Sequence, residues 1–321
     1  MKRFLSVFLA AALLCLCLSG CGGAPDNRDD GRVRVVVTIF PLYDWIRNIA
    51  GDSPGLDVVW LLDSGVDLHS YQPSAKDMLT ISTCDVFVFV GGESDGWVHD
   101  ALADADNKSM TVVNLMDGLG SRLREEETLE GMEASPEEPG EDTEYDEHVW
   151  LSLANADAAA GLIAEALSGA DPANADTYRS NAEAYQLQLQ SLDTRYRDVT
   201  DAAARRTLLF GDRFPFRYLA EDYGLTCYAA FAGCSAETEA SFDTVAFLAG
   251  KVDELSLPAV LTIEGGDQRL AETIVKSTNS QHQAVLTLDS MQGVSARDAA
   301  SGETYLSIME ENLAVLETAL N

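Results

Sequence analysis

Positive charge and histidine are both scarce in this chain. Only 21 lysines and arginines face 53 aspartates and glutamates, for a formal net charge of −32, and there are four histidines. A surface of that sign repels phosphate backbones, which argues against nucleic acid as a partner, and it draws cations instead. There is no CxxC pair, no HExxH and no GxSxG. A metallohydrolase therefore remains a weak alternative, because no general base with a partner can be named. Long apolar runs are missing as well. The longest, residues 4–18, is about 15 residues, short of the roughly 20 that a membrane-spanning helix needs. Proline and glycine are in ordinary supply, at 9 and 24, and no short-period repeat is present.

What is present suits a globular protein of two ordinary domains: 321 residues, 46 % of them apolar and 23 % charged. The start, Met1-Lys2-Arg3 followed by the apolar run, has the layout of a secretory signal peptide. It ends in Leu18-Ser19-Gly20-Cys21, which resembles the bacterial lipoprotein cleavage box, with Cys21 as the lipidated residue. Loss of residues 1–20 removes Lys2 and Arg3 and takes the charge to −34. Setting Cys15, Cys17 and Cys21 aside leaves Cys84, Cys227 and Cys234 in an exported setting. Cys227 and Cys234 are close enough in sequence for a small-loop disulfide. Without a CxxC pair, thiolate ligation of a metal is the less favoured reading.

Hydrophobic patterning predicts strands at 33–39, 56–62, 86–90 and 111–115, alternating with helices at 41–50 and 74–81. Continuous apolar strands between helices imply a parallel sheet covered on both faces. From 125 to 147 the chain carries twelve acidic residues, two prolines and no cation, the composition of a solvated, disordered loop. A helix is expected at 154–167. Residues 174–200 then contain neither glycine nor proline. Tyr178, Tyr185, Leu189, Leu192, Tyr196 and Val199 form one apolar stripe there, along a helix of roughly 40 Å. The alternation resumes with strands at 207–210, 225–230, 259–263 and 284–288, and helices at 215–222, 241–255, 269–276 and 302–320. The fold class is α/β: two parallel-sheet lobes joined by a long rigid helix, with a cleft at the carboxyl ends of the strands, where ligands of open sheets bind. The divisions are a signal peptide at 1–20, a lipidated tether at 21–32 and an N-terminal lobe at 33–153 that carries the acidic loop. A helical connection at 154–203 and a C-terminal lobe at 204–321 follow.

Two histidines fall where a cleft ligand could meet them: His69 in the loop after the second strand, and His148 where the acidic loop ends. His99 and His282 lack such context and are read as structural or solvent-facing. Glu264 and Asp289 each directly follow a predicted strand.

The segment 65–77 with His69 and Pro73-Ser74, and the segment 146–151 with His148, resemble the ligand segments of the zinc/manganese solute-binding lipoproteins of bacterial ABC importers. Tyr218-Leu219-Ala220, Tyr223-Gly224-Leu225, 259–265, Leu288-Asp289-Ser290 and 305–313 are similar to segments of the same family, and the likeness covers about residues 33–320. It implies a monomeric, lipid-anchored receptor on the extracytoplasmic side of the cell membrane. Such a receptor captures a divalent metal, zinc first and manganese or iron otherwise, and passes it to permease and ATPase subunits. A metal-dependent adhesin of the same fold is the alternative. The resemblance makes His69 and His148 ligands, matches Asp289 to the aspartate that often completes the site, and places Glu264 near the metal. Its usual third ligand falls on Arg213, which has no lone pair to give. Asp289, Glu264, Asp212 and water are the candidates for the remainder, in that order; Glu264 either coordinates or pairs instead with Arg213.

Overall fold

The computed structural model describes residues 31–51, 53–133, 144–234 and 239–321. The expected leader, Cys21, most of the tether and the centre of the acidic loop lie outside them. Residues 33–321 form one compact unit. Among the described residues no helix is long and apolar enough to cross a membrane.

Each half holds a four-stranded, all-parallel sheet. The first comprises β1 (Val33–Val37), β2 (Leu56–Trp60), β3 (Val86–Phe89) and β4 (Thr111–Asn114), in the order β2-β1-β3-β4. The second repeats that order as β6-β5-β7-β8, from β5 (Thr207–Phe214), β6 (Thr226–Ala232), β7 (Ala259–Thr262) and β8 (Ala284–Thr287). Side chains alternate across each sheet with period two. Val35, Val37, Val86, Val88, Leu208, Phe210 and Leu261 all enter one continuous core between the sheets. Their neighbours Val36, Phe87 and Phe89 pack outward in one cluster, and Leu209 and Val260 in another. The core is therefore shared by both lobes.

The helices begin and end where local chemistry dictates. Helix α1 (Phe40–Ala50) has Pro41 in its first turn and stops at Gly51. Helix α2 (Ala75–Ser82) is started by a capping box between Ser74 and Asp77. Helices α3 (Val98–Ala103) and α4 (Leu115–Leu119) are short. Helix α5 (Leu153–Ala170) runs on through Gly169 to the Asp171-Pro172 stop. Helix α6 (Ala175–Ala202) is the long one. It buries Tyr178, Tyr185, Leu189, Leu192 and Tyr196 as the stripe predicts, with Thr200 buried in the last turn and Val199 at the core's edge. It packs on α1, on α5 and on the terminal helix. Helices α7 (Arg217–Asp222), α8 (Phe242–Leu255) and α9 (Arg269–Ser277) cover the second sheet. The helix expected at 302–320 is present from Tyr305, and a short helix that the sequence pattern did not predict precedes it. Ser295 and Asp298 form a capping box that starts α10 (Ala296–Ser301), Gly302 ends it, and Thr304 caps α11 (Tyr305–Leu320).

Two expectations are corrected. Cys227 and Cys234 are both thiols. Strand β6 runs extended between them, which separates them by roughly 20 Å, far beyond disulfide reach. The described parts of the acidic segment are also docked on the fold, although Glu125, Glu127, Glu130 and Glu144 stay exposed. Glu125 bridges to Tyr145, and Arg124 pairs with Glu221 and Glu127 with Arg217. Leu129 and Met132 lie against the core, and the Glu133 N–H donates to the Ala230 carbonyl at 2.9 Å. Two apolar side chains and a few counter-ions hold a stretch whose average composition reads as unfolded.

Gly131 shows how close that docking is. Its φ is +86°, and a Cβ there would lie 2.1 Å from the Phe247 ring. Gly131→Ala is expected to lose about 1–3 kcal/mol from backbone strain and the clash. An unchanged melting temperature in scanning calorimetry would show that the segment yields freely.

Candidate metal site

The short turn that carries His69 is set by Asp67, whose carboxylate accepts the His69 N–H at 3.0 Å. Asp67 is itself held by Arg213 of β5, Nη2 to Oδ2 at 2.7 Å, across the cleft. Although burial pushes the Asp67 carboxyl up, Arg213 more than offsets it and the group sits below its ordinary range. Of the two alternatives for Glu264, the pairing with Arg213 is not the one seen: Arg213 pairs with Asp67. Strand β5 runs four residues past its predicted end, through a register break between Phe210 and Arg213, and delivers the guanidinium to the His69 loop.

His148 opens a buried turn, Val149–Leu151, which the C-terminal lobe grips on three sides. Tyr218 Oη donates to the Asp146 carbonyl at 2.7 Å. Tyr305 Oη donates to the Trp150 carbonyl at 2.7 Å, and Trp150 Nε1 donates to the Ser290 carbonyl at 2.9 Å. The imidazole is fully buried.

The two rings meet. His69 Nε2 and His148 Nε2 are 3.1 Å apart. The opposite ring nitrogens are tied to oxygens. His148 Nδ1 lies 3.0 Å from Asp146 Oδ1. His69 Nδ1 lies 2.8 Å from Ser94 Oγ and 2.9 Å from Glu147 Oε1. Glu147 also accepts from the Ser94 N–H and hydroxyl. A carboxylate on Nδ1 fixes the tautomer with its proton there, which leaves the Nε2 lone pair of the neutral ring facing the cleft. Two such lone pairs facing each other repel unless a cation lies between them. Two nitrogens each 2.0–2.1 Å from a tetrahedral zinc sit ~3.3 Å apart, so the pair needs only a slight opening to hold one. The carboxylates behind the rings also favour positive charge in this pocket, carried by a proton when no ion is bound. Burial alone would lower the His148 pKa, but Asp146 and Glu147 outweigh it and favour the positive form. Burial likewise pushes Glu147 up, and His69, His148 and Ser94 hold it below its ordinary range.

Among the described residues, the His, Cys, Asp and Glu side chains contain one group of three whose ligand atoms lie within 4.8 Å of one another: His69, His148 and Cys234. The three carboxylates expected from the sequence stand at the C-terminal ends of their strands but outside that group. Both Glu264 oxygens accept hydrogen bonds, Oε2 from the Ser290 N–H and Oε1 from Ser290 Oγ and the Gln292 and Gly293 N–H groups. Asp212 accepts from the Arg213 and Ile263 N–H groups, one on each oxygen. Asp289 accepts the Met291 N–H on Oδ1, and burial beside Glu264 pushes its pKa to about 7. His99 and His282 are exposed. Sequence reasoning assigned no role to Ser94, Asp146 or Glu147. The two carboxylates that immediately precede His148 are a legible signal for the latter pair; Ser94 offers none.

A family model described as zinc-uptake complex component A, periplasmic (ZnuA) matches residues 35–319.

This chain belongs to the ZnuA family.

Within that family it is 32 % identical over 309 residues to the zinc-binding lipoprotein AdcA of Streptococcus pneumoniae, covering 96 % of this chain and 60 % of that protein. The chain thus spans well under two thirds of that relative's length. It is 28 % identical over 329 residues to the high-affinity zinc uptake system protein ZnuA of Bacillus subtilis, covering 99 % of this chain and 98 % of the relative. Among solved structures, the Zn(II)-bound ZnuA-like domain of Streptococcus pneumoniae AdcA superposes with a TM-score of 0.71 at 30 % identity, covering 90 % of this chain and 99 % of that one. The two-lobed architecture and the long interlobe helix are those of ZnuA-like proteins.

Proposed function

We propose that this protein is a zinc receptor that captures the ion in the cleft and hands it to a membrane permease driven by an ATPase. The observation that supports it most is the pair of Nε2 atoms 3.1 Å apart, each ring held from behind by an oxygen acceptor. The membership of the chain in a zinc-uptake family points the same way, as does the zinc named in its relatives. A net charge of −32 draws cations toward the site. Cys21, by its cleavage-box setting, is the proposed lipid anchor that keeps the receptor on the extracytoplasmic face. Stable anchoring takes more than one acyl chain.

His69 and His148 are the proposed imidazole ligands. Of the three carboxylates, Asp289 is the proposed oxygen ligand, because its described hydrogen bond engages one oxygen, whereas Asp212 and Glu264 have both engaged. The test is elemental analysis of protein purified without added metal, then calorimetric titration with zinc and with manganese. Zinc should bind tightly at one site and displace manganese. Asp289→Ala should weaken zinc tenfold or more, about 1.4 kcal/mol per tenfold. Failure of the wild-type protein to bind either ion would sink the reading.

A further inference from the structure

Three facts converge on Cys234. Its sulfur belongs to the group formed with His69 and His148, all within 4.8 Å. Its thiol donates toward Glu147 Oε1 at 3.7 Å, the oxygen that also lies beside His69 Nδ1, so it sits on the histidine side of the cleft. Its backbone is pinned there by Gly233. A Cβ on that glycine would lie 2.9 Å from His148 Cε1, 3.3 Å from His148 Nδ1 and 3.0 Å from the Phe214 carbonyl. Only a residue without a side chain lets the turn after β6 approach the imidazole so closely. Arg213, meanwhile, is engaged with Asp67 and gives no lone pair.

We propose that Cys234 supplies a thiolate as the third ligand to the ion held by His69 and His148. This rests on the metal-receptor reading and specifies its site. On coordination a sulfur–metal bond replaces the S–H bond, and the proton passes to solvent; no electron is transferred. The consequence is selectivity. Thiolate is a soft donor that suits zinc, whereas manganese prefers oxygen, so one sulfur tilts a site of imidazole and carboxylate away from manganese.

Cobalt(II) is the probe, because it enters zinc-type nitrogen and sulfur sites and reports sulfur through a charge-transfer band in the near ultraviolet. Reduced wild-type protein loaded with cobalt should show that band. Cys234→Ser and Cys234→Ala should both lose it while Cys84 and Cys227 remain, and melting curves should confirm that both variants are folded. Zinc affinity should fall at least tenfold in both, and the margin of zinc over manganese should shrink. Absence of the band in the wild type, or its survival in the variants with zinc affinity unchanged, overturns the thiolate. In either event, zinc binding that is still lost in His69→Ala leaves the receptor reading standing. Wild-type protein that takes up neither zinc nor cobalt removes both.

Discussion

Titration of His148→Ala with zinc is expected to show no tight binding, and His69→Ala the same. Loss of a group that merely orients a metal ligand costs about 10- to 100-fold in affinity. Loss of the ligand itself should cost more than that, beyond about 2.7 kcal/mol. The geometry supplies the internal comparison. Asp146 Oδ1 meets His148 behind the ring, at Nδ1 and at the backbone N–H, and Glu147 lies at His69 Nδ1. Asp146→Asn and Glu147→Gln should therefore fall in the 10- to 100-fold range. The asparagine amide can also donate to Nδ1 and leave the proton on Nε2, which is the wrong tautomer for a ligand. If both histidine variants bind zinc as the wild type does, the cleft is not the site. If the Asp146 and Glu147 variants lose as much as the alanines, those carboxylates bind the ion directly.

The second large effect lies at the opposite side of the shared core. Asp44 on α1 is buried. Its Oδ2 accepts from the Tyr305 N–H at the start of α11, from Tyr185 Oη on α6, and from Asn48 Nδ2. Burial pushes its pKa up to about 6, against the partial relief given by those donors and Arg47. Because the folded value lies above the unfolded 3.8, the protonated form favours the fold. That stabilisation is complete below about pH 3.8 and is lost as the pH rises through about 6. A shift of that size corresponds to about 3 kcal/mol. Asp44→Asn keeps the shape without the charge. It should be more stable than the wild type above pH 6, by up to about 3 kcal/mol, and lose that advantage below pH 4. Melting temperatures of both proteins from pH 4 to 8 would show it. A difference that stays flat across this range would mean that Asp44 does not titrate there.

Periodicity made most of the fold legible. Strands that are apolar on both faces can only be central in a covered sheet, and the stripe from Tyr178 to Tyr196 can only be one long helix. What escaped was local or tertiary. Helix α10 depends on one capping box in a polar stretch. The extension of β5 to Phe214 depends on a register break that no pattern announces. The docked acidic segment depends on Leu129, Met132 and a few ion pairs, which average composition hides. At the site, His69 and His148 could be picked out because histidine is rare here and both stand at element ends. Cys234 ends a strand just as Glu264 and Asp289 do. In sequence its nearness to Cys227 suggests a small-loop disulfide and the lack of a CxxC pair disfavours a metal ligand, although the strand between the two cysteines forbids the bridge. Arg213 was recognised as unable to coordinate, but its partner Asp67 lies 146 residues away in sequence, and only the folded chain joins them.

The unbroken core between the two sheets ties metal supply to the protein's own lifetime. A receptor that unfolds as one body gains the full binding free energy as global stability, about 2.7 kcal/mol when free metal is a hundredfold above Kd. Proteases that wait for rare openings then find the loaded receptor open about a hundredfold less often than the empty one. If the protein is the proposed receptor, scarcity of the ion leaves it empty, and starvation would shorten the survival of the very molecules that forage for it.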